Sequence, residues 1–234
     1  MGKLVLIRHG ESVWNTRNLF TGWVDVPLTQ AGIVEATRAS QVIKHIDFDV
    51  VYTSELVRAI QTALIVLLSD KKFRAPCMMH REWFWRKRYG KIHPAEAKNI
   101  IPIYRSWRLN ERFYGDLQGL NKAKIADIFG VDRVIGWRKG YTSKPPKGEN
   151  LKHTSKRLLP FFNKTIIREL DADKNVLVSS HANLLRSMVM HIEQLDEAQV
   201  VGLEMDTANP IIYNYVNGKF EREERMSPQT PFTL

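Results

Sequence analysis

The sequence predicts an α/β protein with a mostly parallel central sheet and helices on both faces. Three short segments carry that expectation: Leu4-Val5-Leu6-Ile7, Asp49-Val50-Val51-Tyr52-Thr53-Ser54 and Asn175-Val176-Leu177-Val178-Ser179-Ser180. Apolar runs of this length read as short buried strands. Each is followed by polar or ionisable residues and then by a helical pattern, the order expected of βαβ units. In such sheets, ligands bind in the crevice at the carboxyl ends of the strands. The first end carries Arg8 and His9, the second leads through Ser54 to Arg58, and the third carries His181.

Taken in order, Phe20-Thr21-Gly22-Trp23 and Asp25-Val26-Pro27-Leu28 read as a loop that folds back on itself. Thr29 is placed to cap a helix over residues 30–45, with Ala31, Val34, Ala39, Val42 and Ile43 on the buried side. Ser54 is placed to cap a second helix over residues 55–68, with Arg58 in its first turn. Residues 70–106 break the rhythm and read as an insertion or cap within one catalytic domain spanning 1–234. Inside that stretch, Trp83, Phe84, Trp85 and Tyr89 alternate with basic residues. Such interleaving suits contacts with a polyanion, although an amphipathic helix with its cations in water accounts for it more simply. Pro94 is placed to open a short helix over 94–98.

The polar, glycine-containing stretch 107–122 leads into a helix over 122–129, and Trp137-Arg138-Lys139 ends another. Residues 142–148 form a Pro- and Lys-containing loop. A long helix over 150–170 follows, bent at Pro160. After His181 a helix runs through His191, and strands are expected over 201–205 and 211–215. Asn217-Gly218 marks a hairpin turn toward Phe220.

With 234 residues the chain can bury a substantial core. Its net charge of +10 suits an anionic partner: a phosphorylated metabolite, a nucleic acid or an acidic membrane surface. The single cysteine, Cys77, excludes an intramolecular disulfide and fits a reducing compartment. No stretch has the length or apolarity of a signal peptide or a membrane span, so a cytoplasmic location is expected.

The strand ends supply two imidazoles and two guanidiniums, and Glu111 offers a carboxylic acid. A neutral imidazole can attack phosphorus, and a guanidinium holds phosphoryl oxygens in pairs. Gly10 is expected to turn the backbone and bring its N–H toward an anion. No metal-binding motif accompanies these residues. Phosphoryl charge must then be met by Arg, His and backbone N–H groups.

The motifs Arg8-His9-Gly10-Glu11-Ser12, Phe20-Thr21-Gly22-Trp23, Tyr52-Thr53-Ser54 with Arg58, the block from Trp107 to Lys122, Trp137-Arg138, and His181-Ala182-Asn183 with Arg186 resemble the cofactor-dependent phosphoglycerate mutases of the histidine phosphatase superfamily. The resemblance spans nearly the whole chain outside 70–106 and the tail. It implies the histidine phosphatase fold and a metal-free phosphohistidine on His9, primed by 2,3-bisphosphoglycerate. Arg8, Arg58 and His181 would hold the phosphoryl group, and Glu111 would be the general acid and base. Ser12, Asn15, Thr21, Gly22 and Asn183 would add hydrogen bonds. Tyr114, Lys122, Arg138 and Lys139 would grip the substrate carboxylate and its other phosphate.

The chain departs from the family pattern at Phe113 (usually His), Lys139 (Arg), Ala182 (Gly), Leu184 (Ser) and Ala208 (Gly). Ala182 keeps its role only if its φ is negative. The loop before Gly148 and the carboxyl-terminal tail are shorter than usual. The expected activity is the interconversion of 3- and 2-phosphoglycerate in glycolysis and gluconeogenesis. A phosphatase acting on a small phosphorylated metabolite is the alternative, and a polyanion-binding protein ranks third. The expected partner is a small phosphorylated substrate, with nucleic acid disfavoured, no membrane, and a homodimer left open.

Overall fold

The computed structural model describes residues 1–79 and 94–223. The basic and aromatic residues 80–89 and the tail beyond Glu223 lie outside them. Seven strands form one sheet in the order β3-β4-β2-β5-β1-β6-β7. They are β1 (Gly2–Arg8), β2 (Val50–Thr53), β3 (Ala75–Met79), β4 (Ile100–Arg105), β5 (Val176–Ser180), β6 (Ile211–Val216) and β7 (Lys219–Arg222). The first five in that order run parallel, and β6 and β7 are antiparallel.

Alternation along β1 explains why its sequence is apolar throughout. Leu4 and Leu6 point into one core with Tyr52, Val176 and Val178, beneath Leu158, Phe162, Leu185 and Met188. Val5 and Ile7 point into the other, with Val51, Leu177, Ala39, Ile43, Ala63 and Val66. A strand covered on both faces has no polar side to show. The covering helices are α2 (Gln30–Ile43) and α3 (Val57–Leu67) on one face, with α1 (Val13–Thr16) in the loop that precedes α2. The other face carries α7 (Leu151–Phe161), α8 (Ile167–Asp171) and α9 (Ala182–Glu193). A third cluster of Phe20, Tyr114, Leu117, Ile125, Val134 and Trp137 joins the 107–122 stretch to α5 (Lys122–Phe129) and α6 (Val131–Lys139).

Several expectations change. Residues 70–106 contain β3, α4 (Pro94–Ala97) and β4, and both strands belong to the central sheet. Residues 201–205 are not a strand. Asp196 accepts from Gln199 N at 2.7 Å while the Gln199 side chain returns the bond, and this capping box starts α10 (Glu197–Gly202). The helix over 150–170 breaks into α7, a π-helical turn Phe162–Ile166 and α8, two residues after Pro160 removes a backbone donor. Leu56, not Ser54, occupies the cap position of α3. Ala31 is exposed, whereas Gly32 and Ala36 are buried. Thr29 does cap α2, accepting from Gly32 N at 3.0 Å. Asn217 and Gly218, at φ 50° and 78°, make the hairpin turn.

Candidate functional site

Register brings the chemistry together. Arg8 pairs with Ser180, Thr53 with Ser179, and Thr53 with Arg105, so four parallel strands end within about one residue of one another. The ladder continues one step further through His9 N to Ser180 O and Ser106 N to Thr53 O, both at 2.9 Å. His9, Ser54, Ser106 and His181 therefore leave the sheet along one edge.

His9 is 4% exposed, and its Nδ1 lies 2.7 Å from Gly10 O. A carbonyl only accepts, so Nδ1 carries the proton and Nε2 keeps its lone pair. Burial, then Arg58 and Arg8, hold the ring's pKa well below the ordinary histidine value. A neutral imidazole with a free Nε2 is the form that attacks phosphorus. The N–H of Gly10 is occupied by Thr62 Oγ1 at 3.1 Å and does not face an anion. Glycine is needed there because a Cβ would sit 2.4 Å from Gly32 O.

His181 is fully buried, its ring centre 5.0 Å from that of His9. Its Nε2 meets Ser54 Oγ at 2.8 Å, and that oxygen also accepts from Leu56 N at 3.2 Å. If the Ser54 hydroxyl donates to Nε2, the proton of a neutral His181 sits on Nδ1, which has no protein partner. Burial and then Arg58 press its pKa downward as well.

Arg58 is 1% exposed and donates to Val24 O at 2.9 Å and Gly22 O at 2.8 Å, tying the 20–28 loop to α3. Its pKa falls to about 10, chiefly through burial. Arg8 donates to Met205 O at 2.6 Å. The Nε atoms of both arginines are buried without a protein partner. With Nδ1 of His181 they form a set of unanswered polar groups, and with Nδ1 protonated all three are donors that an anion would satisfy.

One cavity is lined by Arg8, His9, Asn15, Thr21, Gly22, Arg58, Glu111, Tyr114, Lys122, Arg138, Lys139 and Asn183. His181, fully buried, is not part of this lining. Ser12 is turned away, its amide and hydroxyl both donating to Asn15 Oδ1, at 2.9 and 2.8 Å. It positions Asn15 instead of facing the cavity. Lys122 has its pKa lowered to about 8 by burial, then by Arg138 and Arg8. Burial raises that of Tyr114, whose hydroxyl accepts from Asn183 Nδ2 at 3.2 Å. Among the described residues, no group of three or more His, Cys, Asp or Glu side chains could hold a metal ion.

Sequence reasoning names Arg186 within a motif but gives no role to it, to Arg112 or to Glu204. Arg186 also lines the cavity, bonding Asn183 Oδ1 and Val200 O at 3.1 Å and Lys139 O at 3.2 Å. Its spacing of three from Asn183 on one helix was the available signal. The fully buried Arg112 side chain donates from Nη1 to Trp137 O at 2.7 Å and leaves two nitrogens unpartnered, while its backbone N–H donates to Glu111 Oε1 at 2.7 Å. Glu204 lines the cavity mouth and pairs with Lys139. The departures at Phe113 and Leu184 do not reach the cavity: Phe113 packs edge-on against Trp23, and Leu184 lies in the core. Ala182, inside α9, has a negative φ, whereas Ala208 sits at 49°.

The family model of the histidine phosphatase superfamily (branch 1) matches residues 4–79 and 92–225. Two relatives named 2,3-bisphosphoglycerate-dependent phosphoglycerate mutase are similar along their length. The Chlamydia felis protein is 46% identical over 95% of this chain and 97% of its own. The Chlamydia caviae protein is 47% identical over the same shares. Solved structures share the fold at lower identity. Bacillus stearothermophilus YhfR has a TM-score of 0.73 and 23% identity over 95% of both chains. The alpha-ribazole phosphatase from Shigella flexneri has 0.73 and 21% over 99% of this chain and all of its own. The chain thus belongs to the histidine phosphatase superfamily and, within it, to the 2,3-bisphosphoglycerate-dependent phosphoglycerate mutases.

Proposed function

We propose that this chain interconverts 3- and 2-phosphoglycerate through a phosphohistidine on His9. 2,3-Bisphosphoglycerate supplies the phosphoryl group that primes His9. His9 Nε2 forms the bond to phosphorus as the bond from phosphorus to the sugar-acid oxygen breaks. Arg8, Arg58 and the Nδ1 proton of His181 hold the phosphoryl oxygens. Glu111 gives a proton to the departing oxygen and takes one from the other hydroxyl when the group is passed on.

The observation that carries this reading over simple hydrolysis is the second polar grouping in the same cavity. Tyr114, Lys122, Arg138, Lys139 and Asn183 line it together with His9. A mutase must hold a carboxylate and a second phosphate while its intermediate reorients, and a phosphatase has no such need. The relative named 2,3-bisphosphoglycerate-dependent phosphoglycerate mutase that is 46% identical over 97% of its own length supports the same reading.

The test is incubation with 3-phosphoglycerate and catalytic 2,3-bisphosphoglycerate, following 2-phosphoglycerate, released phosphate and acid-labile phosphate on the protein. Isomerisation outrunning phosphate release is expected. Phosphate release that dominates at saturating bisphosphoglycerate would make the chain a phosphatase.

A further inference from the structure

We propose that Arg157, on α7 and outside the cavity lining, is the positioning residue for Glu111. The inference rests on the role of Glu111 proposed above.

Glu111 lies on an irregular segment between β4 and α5, where no helix or strand ladder fixes its backbone. One guanidinium does so instead. Arg157 Nη2 donates to Asn110 O and Glu111 O, each at 2.8 Å, and Nη1 donates to Arg108 O at 2.7 Å. On its other side the same group is paired with Glu149, Nε to Oε1 and Nη2 to Oε2, both at 3.1 Å. Glu149 then holds the far side of the acid. Its Oε2 accepts from Phe113 N at 3.0 Å and its own N–H donates to Phe113 O at 2.7 Å. Trp23 adds a third tether, Nε1 to Glu111 O at 2.6 Å, with its ring 5.8 Å from the Arg157 guanidinium carbon.

The backbone on both sides of Glu111 is thus bound to one ion pair, whose arginine side chain is 7% exposed. Serving carbonyls of residues 108, 110 and 111 and a carboxylate at once takes a planar fork of donors. A lysine, with one nitrogen, cannot occupy those directions together. Its role is therefore geometric: it sets where the Glu111 carboxyl meets the oxygen that leaves phosphorus.

That role has a signature that general structural support lacks. An alcohol departing from phosphorus needs a proton from Glu111 as the P–O bond breaks and the bond to His9 forms. Nitrophenolate, a stable anion, departs from p-nitrophenyl phosphate without one. In Arg157→Lys, kcat with phosphoglycerate should fall roughly 100-fold, the scale of a displaced catalytic group. KM should change little, and the burst of nitrophenolate released as His9 takes the phosphoryl group should keep its rate within about threefold. Glu149→Gln should show the same selectivity in weaker form, and provides the test if the arginine variant fails to fold. In a Glu111→Gln background, Arg157→Lys should cost almost nothing more.

Equal loss with alkyl and aryl phosphates, no loss with either, or additive loss in the double variant would each overturn the assignment. Failure of the mutase reading is separate: it shows in the unmodified protein as absent isomerisation. The alkyl-against-aryl comparison still stands on any alkyl phosphate the protein cleaves.

Discussion

The rings of His9 and His181 lie 5.0 Å apart, and only that of His9 has its proton fixed by an atom that can do nothing but accept. His181 meets a hydroxyl, which can donate or accept. The two histidines are therefore not interchangeable: Nε2 of His9 is free for attack, while the unpartnered nitrogen of His181 is Nδ1. His9→Ala should abolish acid-labile phosphate on the protein after exposure to 2,3-bisphosphoglycerate. His181→Ala should still become labelled, about 100- to 1000-fold more slowly, as when one preorganised donor to a transition state is lost. Label in His9→Ala would move the nucleophile to His181.

In the substrate-binding role proposed for it, Lys122 is expected to set the alkaline limit. Its pKa, lowered to about 8 by burial and then by Arg138 and Arg8, leaves it charged below that pH and neutral above it. A neutral amine attracts no anion, so kcat/KM for phosphoglycerate should decline as pH rises through about 8. Arginine stays charged throughout this range. Lys122→Arg should move the decline to higher pH, and an unmoved limb would assign it to another group.

How far the sequence reveals this depends on what answers each residue. Leu4–Ile7 is legible because burial on both faces leaves an unbroken apolar run. β3 and β4 are not, because Pro76 and Pro102 argue against strands, and β3 is a partly exposed edge. His9, Arg58 and Glu111 stand out because their chemistry is local to a motif. Arg157 does not, because it acts on carbonyls 46 to 49 residues away, and any residue type could have supplied them.

Two alanines stand where the family uses glycine, and they should respond in opposite directions. Ala208, at φ 49°, bears the left-handed cost of a Cβ, while Ala182 opens a helix. Ala208→Gly should gain roughly 0.5–1 kcal/mol after the added freedom of the unfolded chain is offset, and Ala182→Gly should lose up to about 1. For a chain of this size that is a shift of roughly 2 °C in Tm either way. Calorimetry of both variants checks the contrast, and equal signs would contradict it.

At the cavity mouth the pairing of Glu204 with Lys139 sets one of the few carboxylates among the lining cations. The pair is solvent-exposed, 69% on the glutamate side and 34% on the lysine. Such pairs are worth about 0.2–1 kcal/mol, and salt weakens them further. An anionic substrate that uses Lys139 must compete with Glu204 for it. Removing the glutamate charge should then tighten substrate binding by at most about fivefold, the equivalent of the upper end of that range. The gain should fall equally on ground and transition states if Lys139 meets the end of the substrate that does not react. Glu204→Gln is accordingly expected to lower KM at low ionic strength, leave kcat unchanged, and lose its advantage as salt is raised. A KM that rises instead would mean that Glu204 holds Lys139 in its binding position. A KM indifferent to the substitution at low salt would remove Lys139 from the substrate's grip.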